Sequence, residues 1–106
     1  MSKYLFQANY VGEGIKGLMH EGGSKRREAV AQALVSVGGS LDSFYYAFGE
    51  TDVLGVFDLP DQASAAALSL MVNSSGAVSL RLTPLMTPED LDEAAKKTPS
   101  YRPPGQ

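Results

Sequence analysis

The sequence predicts an α+β domain whose elements follow the order β-α-β-β-α-β. Three observations support this prediction: an aromatic and β-branched hairpin over residues 43–58, a segment with helical periodicity on each side of it, and an alternating strand at each end of the array. The chain of 106 residues has the length of one domain, and 43% of its residues are hydrophobic, which is enough to build a core.

The first strand is predicted over residues 4–11, because successive side chains there alternate between two faces. A short helical turn follows, since Ile15, Leu18 and Met19 recur at helical spacing. The glycine pair at 22–23 is expected to end this turn.

The first long helix is predicted to begin after Ser24, whose side chain can cap it. Gly38 and Gly39 are expected to end it. Its buried stripe is read from apolar residues at helical spacing, namely Val30, Ala33, Leu34 and Val37.

The central hairpin joins two predicted strands through a polar turn at residues 49–52. Gly49 is expected to supply the backbone freedom of the reversal, and Asp52 to hydrogen-bond backbone amides there. Glu50 and Asp52 are two carboxylates close in sequence, and we interpret them as residues that shape the turn rather than as a catalytic pair.

The second long helix is predicted to begin at Asp61, a suitable N-cap after Pro60. Its predicted buried face consists of Ala63, Ala66, Ala67, Leu70 and Met71. A last strand is predicted over residues 77–86, with Pro84 at an edge or bulge because proline has no amide hydrogen to donate. Thr87 and Pro88 then start a short polar helix that ends near residue 97.

This order of elements is that of the ferredoxin-like fold, with four antiparallel strands in the order 4-1-3-2 and two helices on one face. The more apolar side of each strand should face the helices: Tyr4, Phe6, Ala8, Tyr10, Phe44, Tyr46, Phe48, Val53, Gly55, Phe57, Leu59, Val78, Leu80 and Leu82. The other face should carry a mixed set: Leu5, Gln7, Asn9, Val11, Ser43, Tyr45, Ala47, Leu54, Val56, Asp58, Ser79, Arg81 and Thr83.

The mixed face predicts a partner. Its apolar residues are too many to leave in water on a small domain, and such areas are typical of interfaces or ligand grooves. We expect a second copy of the chain to cover it, sheet against sheet, around a shared cavity, because two-fold homodimers are the commonest closed oligomers. A larger homo-oligomer is compatible with the same pattern.

Composition excludes several classes of protein. A net charge of −3 argues against nucleic acid as a partner, and the only dense basic run, residues 25–27, is interpreted as a solvated helix face. No apolar run approaches the roughly 20 residues that span a bilayer, so no membrane partner is expected. Cysteine is absent, which excludes disulfides and thiolate metal sites, and a cytoplasmic location is the expectation.

The hairpin turn, Gly49-Glu50-Thr51-Asp52, resembles the signature of the GYD domain family, in which Gly is followed by any residue, Tyr and Asp. Thr51 stands where that pattern has Tyr. The resemblance covers residues 3–92 and includes the segments 4–10, 27–30, 43–48, 53–58 and 79–83.

This resemblance implies a member of the dimeric α+β barrel group, which includes cofactor-free monooxygenases, haem enzymes, isomerases and stress-responsive proteins. It implies a GYD domain over residues 1–92, followed by a helix end and a proline-rich tail over residues 93–106. Independently of the resemblance, the tail residues Tyr101, Arg102, Pro103 and Pro104 are expected to dock on a partner subunit rather than to act as a PxxP-type ligand for another domain. We expect no cofactor and no metal.

Six residues are candidates for ligand binding. His20 is the only histidine, and it is either a general base or haem ligand at a cavity mouth or a solvated loop residue. The other five lie on the mixed face: Gln7, Asn9, Tyr45, Asp58 and Arg81. They form one polar network that lines a cavity, with Arg81 fixing an anion and Tyr45 or Asp58 moving protons. Alternatively, Asp58 and Arg81 are a structural ion pair or edge charges, and Gln7 and Asn9 satisfy the dimer interface.

Two functions therefore stay open at this point. The first is a small homodimeric barrel that binds an organic ligand in a cavity at the sheet–sheet interface, or that has a structural role in a larger assembly. The second is a cofactor-independent monooxygenase, isomerase or cyclase acting on a small aromatic or polyketide-like substrate. No phosphate loop, nucleophile elbow or metal-ligand spacing is present to favour another chemistry.

Overall fold

A computed structural model of the chain describes all 106 residues. The elements are β1 (Ser2–Tyr10), α1 (Glu13–Glu21), α2 (Gly23–Ser36), β2 (Ser40–Tyr46), β3 (Val53–Leu59), α3 (Gln62–Ser74), β4 (Val78–Pro84) and α4 (Pro88–Ala95). The strands form one antiparallel sheet in the order β2-β3-β1-β4, which confirms the ferredoxin-like order 4-1-3-2. None of the helices has the length and apolar character needed to cross a lipid bilayer.

The core lies between one face of the sheet and helices α2 and α3. Phe6 stacks on Phe57 with ring centroids 5.1 Å apart, and it contacts the Phe44 ring at 5.7 Å. The buried side chains are those that alternation assigned to the helices, with three from the helices themselves: Tyr4, Phe6, Ala8, Val53, Phe57, Leu59, Leu34, Ala65 and Leu68. The predicted facing of the strands is thus confirmed.

Helix α2 ends as predicted but begins earlier. Gly38 has a φ of 83°, and the Gly39 amide donates to the Leu34 carbonyl at 2.8 Å, which is a Schellman ending. At the start, the N-cap is Gly22 rather than Ser24, and no side chain caps the helix. Gly22 has a φ of 91°, so the chain turns from α1 into α2 through this single residue.

Helix α3 begins at its predicted cap, but its predicted buried face is wrong. The Asp61 carboxylate accepts a hydrogen bond from the Ser64 amide at 2.7 Å, as expected for an N-cap. Ala65 and Leu68 are the residues that α3 buries. The predicted set lies on the exposed side: Ala63, Ala66, Ala67, Leu70 and Met71.

A hydrogen-bonded side chain fixes the rotation of α3. The Asn73 side chain accepts from the Leu80 amide of β4 at 2.8 Å and donates to the Leu80 carbonyl at 3.2 Å. Because α3 is apolar nearly all round, periodicity alone did not determine which side meets the sheet. Ala65, Leu68 and Val72 pack on the core, whereas the equally apolar Leu70 and Met71 lie on the exposed side.

The hairpin turn is longer than predicted, because β2 ends at Tyr46 and residues 47–52 form the connection. Phe48 lies in this loop with a φ of 55° and is 58% exposed, although alternation placed it in the strand. Its ring stacks on Tyr46 at 5.9 Å, and Gly49 does not take the left-handed conformation. The left-handed residue of the reversal is therefore Phe48, whose ring packs on Tyr46, and not Gly49 as predicted.

Gly55 is required by close packing at the centre of the sheet. A Cβ atom on Gly55 would overlap the carbonyl oxygen of Ser43 and lie 2.7 Å from the Phe6 ring. The strand β2 bulges at Asp42, just before Ser43, so the two strands approach closely here.

The C-terminal arm, defined as residues 85–106, leaves the domain after β4. The Leu85 amide donates to the Lys3 carbonyl at 2.9 Å, and every later hydrogen bond of the arm joins two of its own residues. Helix α4 begins with the predicted Pro88 and with a capping box in which Thr87 and Asp90 exchange hydrogen bonds of 3.0 Å. All residues of the arm are exposed.

Candidate functional site

The open sheet face, defined as the face opposite the helices, carries the mixed set that alternation predicted. Leu5 lies opposite Val56, and Gln7 lies opposite Leu54. These four side chains are half-buried at the centre of the face. Val11 is not among them, since it follows the end of β1 and is exposed.

Asp58 belongs to an ion-pair cluster at one end of the open sheet face. The Lys3 ammonium lies 3.1 Å from the Asp58 carboxylate and 2.6 Å from that of Asp42. Hydrogen bonds to Asp42 and then Asp58 raise the pKa of Lys3 above its usual value. Sequence reasoning missed Lys3 and Asp42, because the first strand was started at Tyr4 and the bulge that redirects Asp42 has no clear sequence signal.

Asn9 and Asp52 join the hairpin turn to β1. The Asp52 amide donates to Asn9 Oδ1 at 2.9 Å, and the Asp52 carboxylate accepts from the Tyr10 amide at 2.9 Å. Asp52 thus bonds a backbone amide, as predicted, but the amide belongs to the neighbouring strand rather than to the turn. The Asn9 side chain therefore accepts a hydrogen bond from the backbone of the hairpin turn.

Arg81 lies on the β4 side of the same end of the sheet. It is opposite Gln7 in the register of β1 and β4, and its Nη2 is 3.4 Å from Thr51 Oγ1. Thr51 is the position at which the GYD pattern has Tyr, so a smaller side chain meets Arg81 here. Gln7 makes no side-chain hydrogen bond to the rest of the chain.

The predicted polar set is therefore divided rather than joined in one network. Lys3 is opposite Asp58, whereas Arg81 is opposite Gln7. The two pairs are four residues apart along β1, or about 13 Å at the rise of an extended strand. Tyr45 points into solvent with 68% of its surface exposed. A ligand-binding role for these residues stays a prediction.

His20 lies in the last turn of α1 and is exposed. It lines none of the cavities described below and forms no hydrogen bond. No group of three or more His, Asp or Glu side chains is arranged to hold a metal ion. Its role as a base or haem ligand at a cavity mouth likewise stays a prediction.

A cavity of about 100 Å³ lies on the other side of the sheet, between the sheet and helices α2 and α3. Thirteen of its fourteen lining residues are hydrophobic. It adjoins an open cleft of about 490 Å³ beside α1, because the two share Tyr10, Arg26, Val72 and Val78. The cavity wall includes Phe6, Phe44, Phe57, Val30, Ala33 and Leu68.

Arg26 is the one charged residue in the cavity wall. Its Nε is buried and has no hydrogen-bond partner. Its Nη1 lies 3.8 Å from the Glu21 carboxylate, which is longer than a hydrogen bond, and the Arg26 side chain is 32% exposed. Arg26 therefore offers an unused donor at the boundary between the apolar cavity and the open cleft.

Tyr46 borders this region and contacts the start of α2. Its hydroxyl donates to the Gly23 carbonyl at 3.2 Å, and a Cβ atom on Gly23 would lie 2.9 Å from the Tyr46 ring. Burial raises the pKa of Tyr46 to about 12, and the neighbouring Tyr10 hydroxyl adds to the rise, whereas the charge of Arg26 lowers it. Tyr46 therefore keeps its proton at neutral pH and acts as a hydrogen-bond donor.

Sequence reasoning assigned the two tyrosines to the core and Arg26 to a solvated face. The tyrosines do face the helices, but Tyr10 lines the cavity beside Arg26, and the Tyr46 hydroxyl is close enough to Arg26 for that charge to lower its pKa. A signal for this existed: β1 and β2 run in the same direction in the predicted sheet, so their last residues, Tyr10 and Tyr46, share one end of it. The contact with Arg26 depends on the start of α2, which the sequence placed two residues too late.

Comparison with known proteins gives one match. A model of the GYD domain family matches residues 4–95, from β1 to the end of α4. Neither curated proteins nor solved structures give a significant match. The matched region contains the cavity, Arg26, both tyrosines and the Asn9–Asp52 hydrogen bond, and the chain therefore belongs to the GYD domain family.

Proposed function

We propose that this protein is a homodimer that binds a small organic ligand in the cavity beneath its helices. The ligand has an apolar body and one hydrogen-bond-accepting group, such as a carboxylate or a carbonyl. The observation that carries this proposal is the unpartnered Nε of Arg26 in an otherwise hydrophobic wall.

The dimensions of the cavity suit a small ring. An apolar cavity of about 150 Å³ holds a benzene molecule in an engineered protein, so a cavity of about 100 Å³ with an open end can take the body of a single-ring compound. The adjoining cleft of about 490 Å³ leaves room for a substituent. Phe6 and Phe44 provide ring faces and edges for aromatic contact.

The unpartnered Arg26 Nε in the cavity wall favours a ligand that carries a hydrogen-bond acceptor. A buried donor that lacks a partner costs about 1–3 kcal/mol, and more when it is charged, so a ligand oxygen at Arg26 would recover that cost. Glu21 is the nearest carboxylate and is held only loosely at 3.8 Å. An anionic ligand group can therefore replace Glu21 as the partner of Arg26.

The homodimer is supported by the open sheet face. Leu5, Leu54 and Val56 form an apolar centre within a polar surround, which matches the anatomy of a protein interface. A cavity between the two sheets, which the sequence predicts, stays a prediction; the single chain carries its apolar cavity on the opposite side. A cytoplasmic location also stays a prediction.

The enzymatic alternative is a cofactor-independent monooxygenase, isomerase or cyclase. Tyr10 and Arg26 line the cavity, and Tyr46 and Glu21 lie close to them outside its wall, which favours an enzyme over a purely structural role. In such a reaction Glu21 would accept a proton, whereas Tyr46, whose pKa of about 12 makes it a weak acid, would stay protonated and serve as a hydrogen-bond donor. A turnover assay on a compound that binds would distinguish the enzyme from the binding protein.

Binding of benzoate, compared with toluene, tests the proposal. We expect benzoate to bind more tightly, and Arg26→Met to weaken benzoate binding by about tenfold to a hundredfold, as for loss of a charged hydrogen bond. Lys25→Met is the control, because it removes one positive charge from the same turn outside the cavity wall. Equal weakening by both variants, or no preference for benzoate, would refute the role of Arg26.

A further inference from the structure

The C-terminal arm has no packing partner in the single chain. Its helix α4 has eight residues, and isolated helices shorter than about 12 residues are marginal in water. Capping by Thr87 and Asp90 stabilises the first turn but does not replace tertiary packing. The apolar residues Met86, Leu91 and Tyr101 are nevertheless 60–74% exposed. The helix therefore needs a surface that the single chain does not supply.

The overall dimensions agree with this conclusion. The radius of gyration is 17.0 Å, whereas a compact domain of this length has about 13 Å. The accessible surface of 7382 Å² exceeds that of a compact protein of 11.2 kDa by about 1,700 Å². An excess of this size is comparable to the area that a standard protein interface buries.

We propose that the C-terminal arm docks on a second copy of this chain, in the groove between the first turn of α2 and the edge strand β2. Ser24, Arg27 and Tyr45 line this groove, with Phe44 and Tyr46 at its floor. The proposal rests on the homodimer proposed above. In a two-fold dimer each copy would give its arm and receive the other.

Charge complementarity supports this occupant. Helix α4 carries four carboxylates, Glu89, Asp90, Asp92 and Glu93, before any basic residue. The first turns of α2 carry Lys25 and Arg27, which are exposed beside the groove. The acidic helix would therefore meet a basic rim, and Leu91 would meet the exposed Tyr45 ring.

The groove of the same chain is a poorer site for the arm. β2 and β4 are the two opposite edges of the sheet, so three strand spacings, or about 14 Å, separate the start of the arm from the groove. The arm also leaves the sheet at the Lys3 end, with no hydrogen bond that turns it back. An edge strand with unpaired backbone groups is, in addition, a natural docking surface for another chain.

Charge exchange in the full chain tests the proposal by sedimentation equilibrium. Asp92→Lys and Arg27→Glu should each raise the dimer dissociation constant by about fivefold to tenfold, and the double variant should restore it to within about twofold. Leu91→Ser should weaken the dimer by about tenfold. Leu70→Ser is the control, since Leu70 is exposed on α3 to a similar degree but lies outside the groove.

The outcomes separate the arm from the homodimer itself. A dimer that Asp92→Lys, Arg27→Glu and Leu91→Ser all leave unchanged would overturn the docking of the arm and leave the homodimer standing. A full chain that stays monomeric at micromolar concentration would overturn both. Benzoate binding, measured in the same variants, reports on the cavity independently of either result.

Discussion

The Asp52 amide donates a hydrogen bond of 2.9 Å to the side chain of Asn9, which lies 43 residues earlier in the chain. The Asp52 carboxylate accepts a bond of the same length from the amide of Tyr10, the next residue. The turn of the hairpin is therefore held by the end of β1, so the signature turn of this family fixes the position of Tyr10 at the cavity rim.

Asp52→Ala should destabilise the fold by about 1–3 kcal/mol, because it leaves the Tyr10 amide without its partner in a half-buried place. Glu50→Ala, in the same turn, should change the free energy of unfolding by less than about 0.5 kcal/mol, since Glu50 is exposed and forms no hydrogen bond. Chemical denaturation of both variants measures the difference. Equal effects would show that the Asp52 contact is not specific.

Gly55→Ala should destabilise the domain by about 1–3 kcal/mol or more, since the added methyl group overlaps the Ser43 carbonyl and crowds the Phe6 ring. Gly17→Ala is a suitable control, because a Cβ atom there meets nothing within 4 Å and alanine favours the helix. Thermal unfolding compares the two. A melting temperature that Gly55→Ala leaves unchanged would contradict the close packing described at the bulge.

Alkaline titration should separate Tyr46 from the other tyrosines. Its folded-state pKa of about 12 lies above its ordinary value of 10.0, so the folded state holds the proton more tightly than the unfolded state does. The resulting contribution to stability is complete below pH 10 and is lost as the pH rises towards 12. Stability measured across this interval should therefore fall.

Tyr46→Phe should abolish the late step in tyrosinate absorbance, whereas Tyr45→Phe, at the exposed neighbouring position, should leave it in place. The same Tyr46→Phe variant should lose about 0.5–1.5 kcal/mol of stability with its hydrogen bond to the Gly23 carbonyl. A late step that persists in Tyr46→Phe would assign the shifted pKa to another residue.

Strand alternation was sufficient to predict the sheet and its faces, because each strand pairs one apolar side with one mixed side. Periodicity failed to orient an element where apolar residues occur on more than one of its sides. Helix α3 has apolar residues on most of its circumference, and the hydrogen bonds between Asn73 and Leu80 accompany the orientation that places Leu68 in the core. Phe48 was assigned to a strand because aromatic side chains favour strands, although its backbone is left-handed and β2 ends at Tyr46.

The cavity could not be predicted from the sequence, because it depends on how completely side chains from three elements fill the space between them. The sequence was sufficient to predict which residues lie on the open sheet face, but not which of them lie opposite one another on neighbouring strands. Asp58 meets Lys3 rather than Arg81, since register places these pairs four residues apart on β1. Arg26 belongs to a basic run that is typical of a solvated helix face, and the sequence carries no signal that its Nε is buried in the structure.

The proposed binding site is tested most directly by locating the side of the sheet on which a ligand binds. Amide NMR spectra recorded during a benzoate titration make this measurement. Binding in the cavity should move the signals of its wall, such as those of Val30, Ala33 and Val72, along one saturating curve. Arg26→Met should shift that curve to about tenfold to a hundredfold higher benzoate concentration. Movement confined to Leu5 and Leu54 on the open sheet face, or no movement at millimolar benzoate, would contradict the proposed binding site.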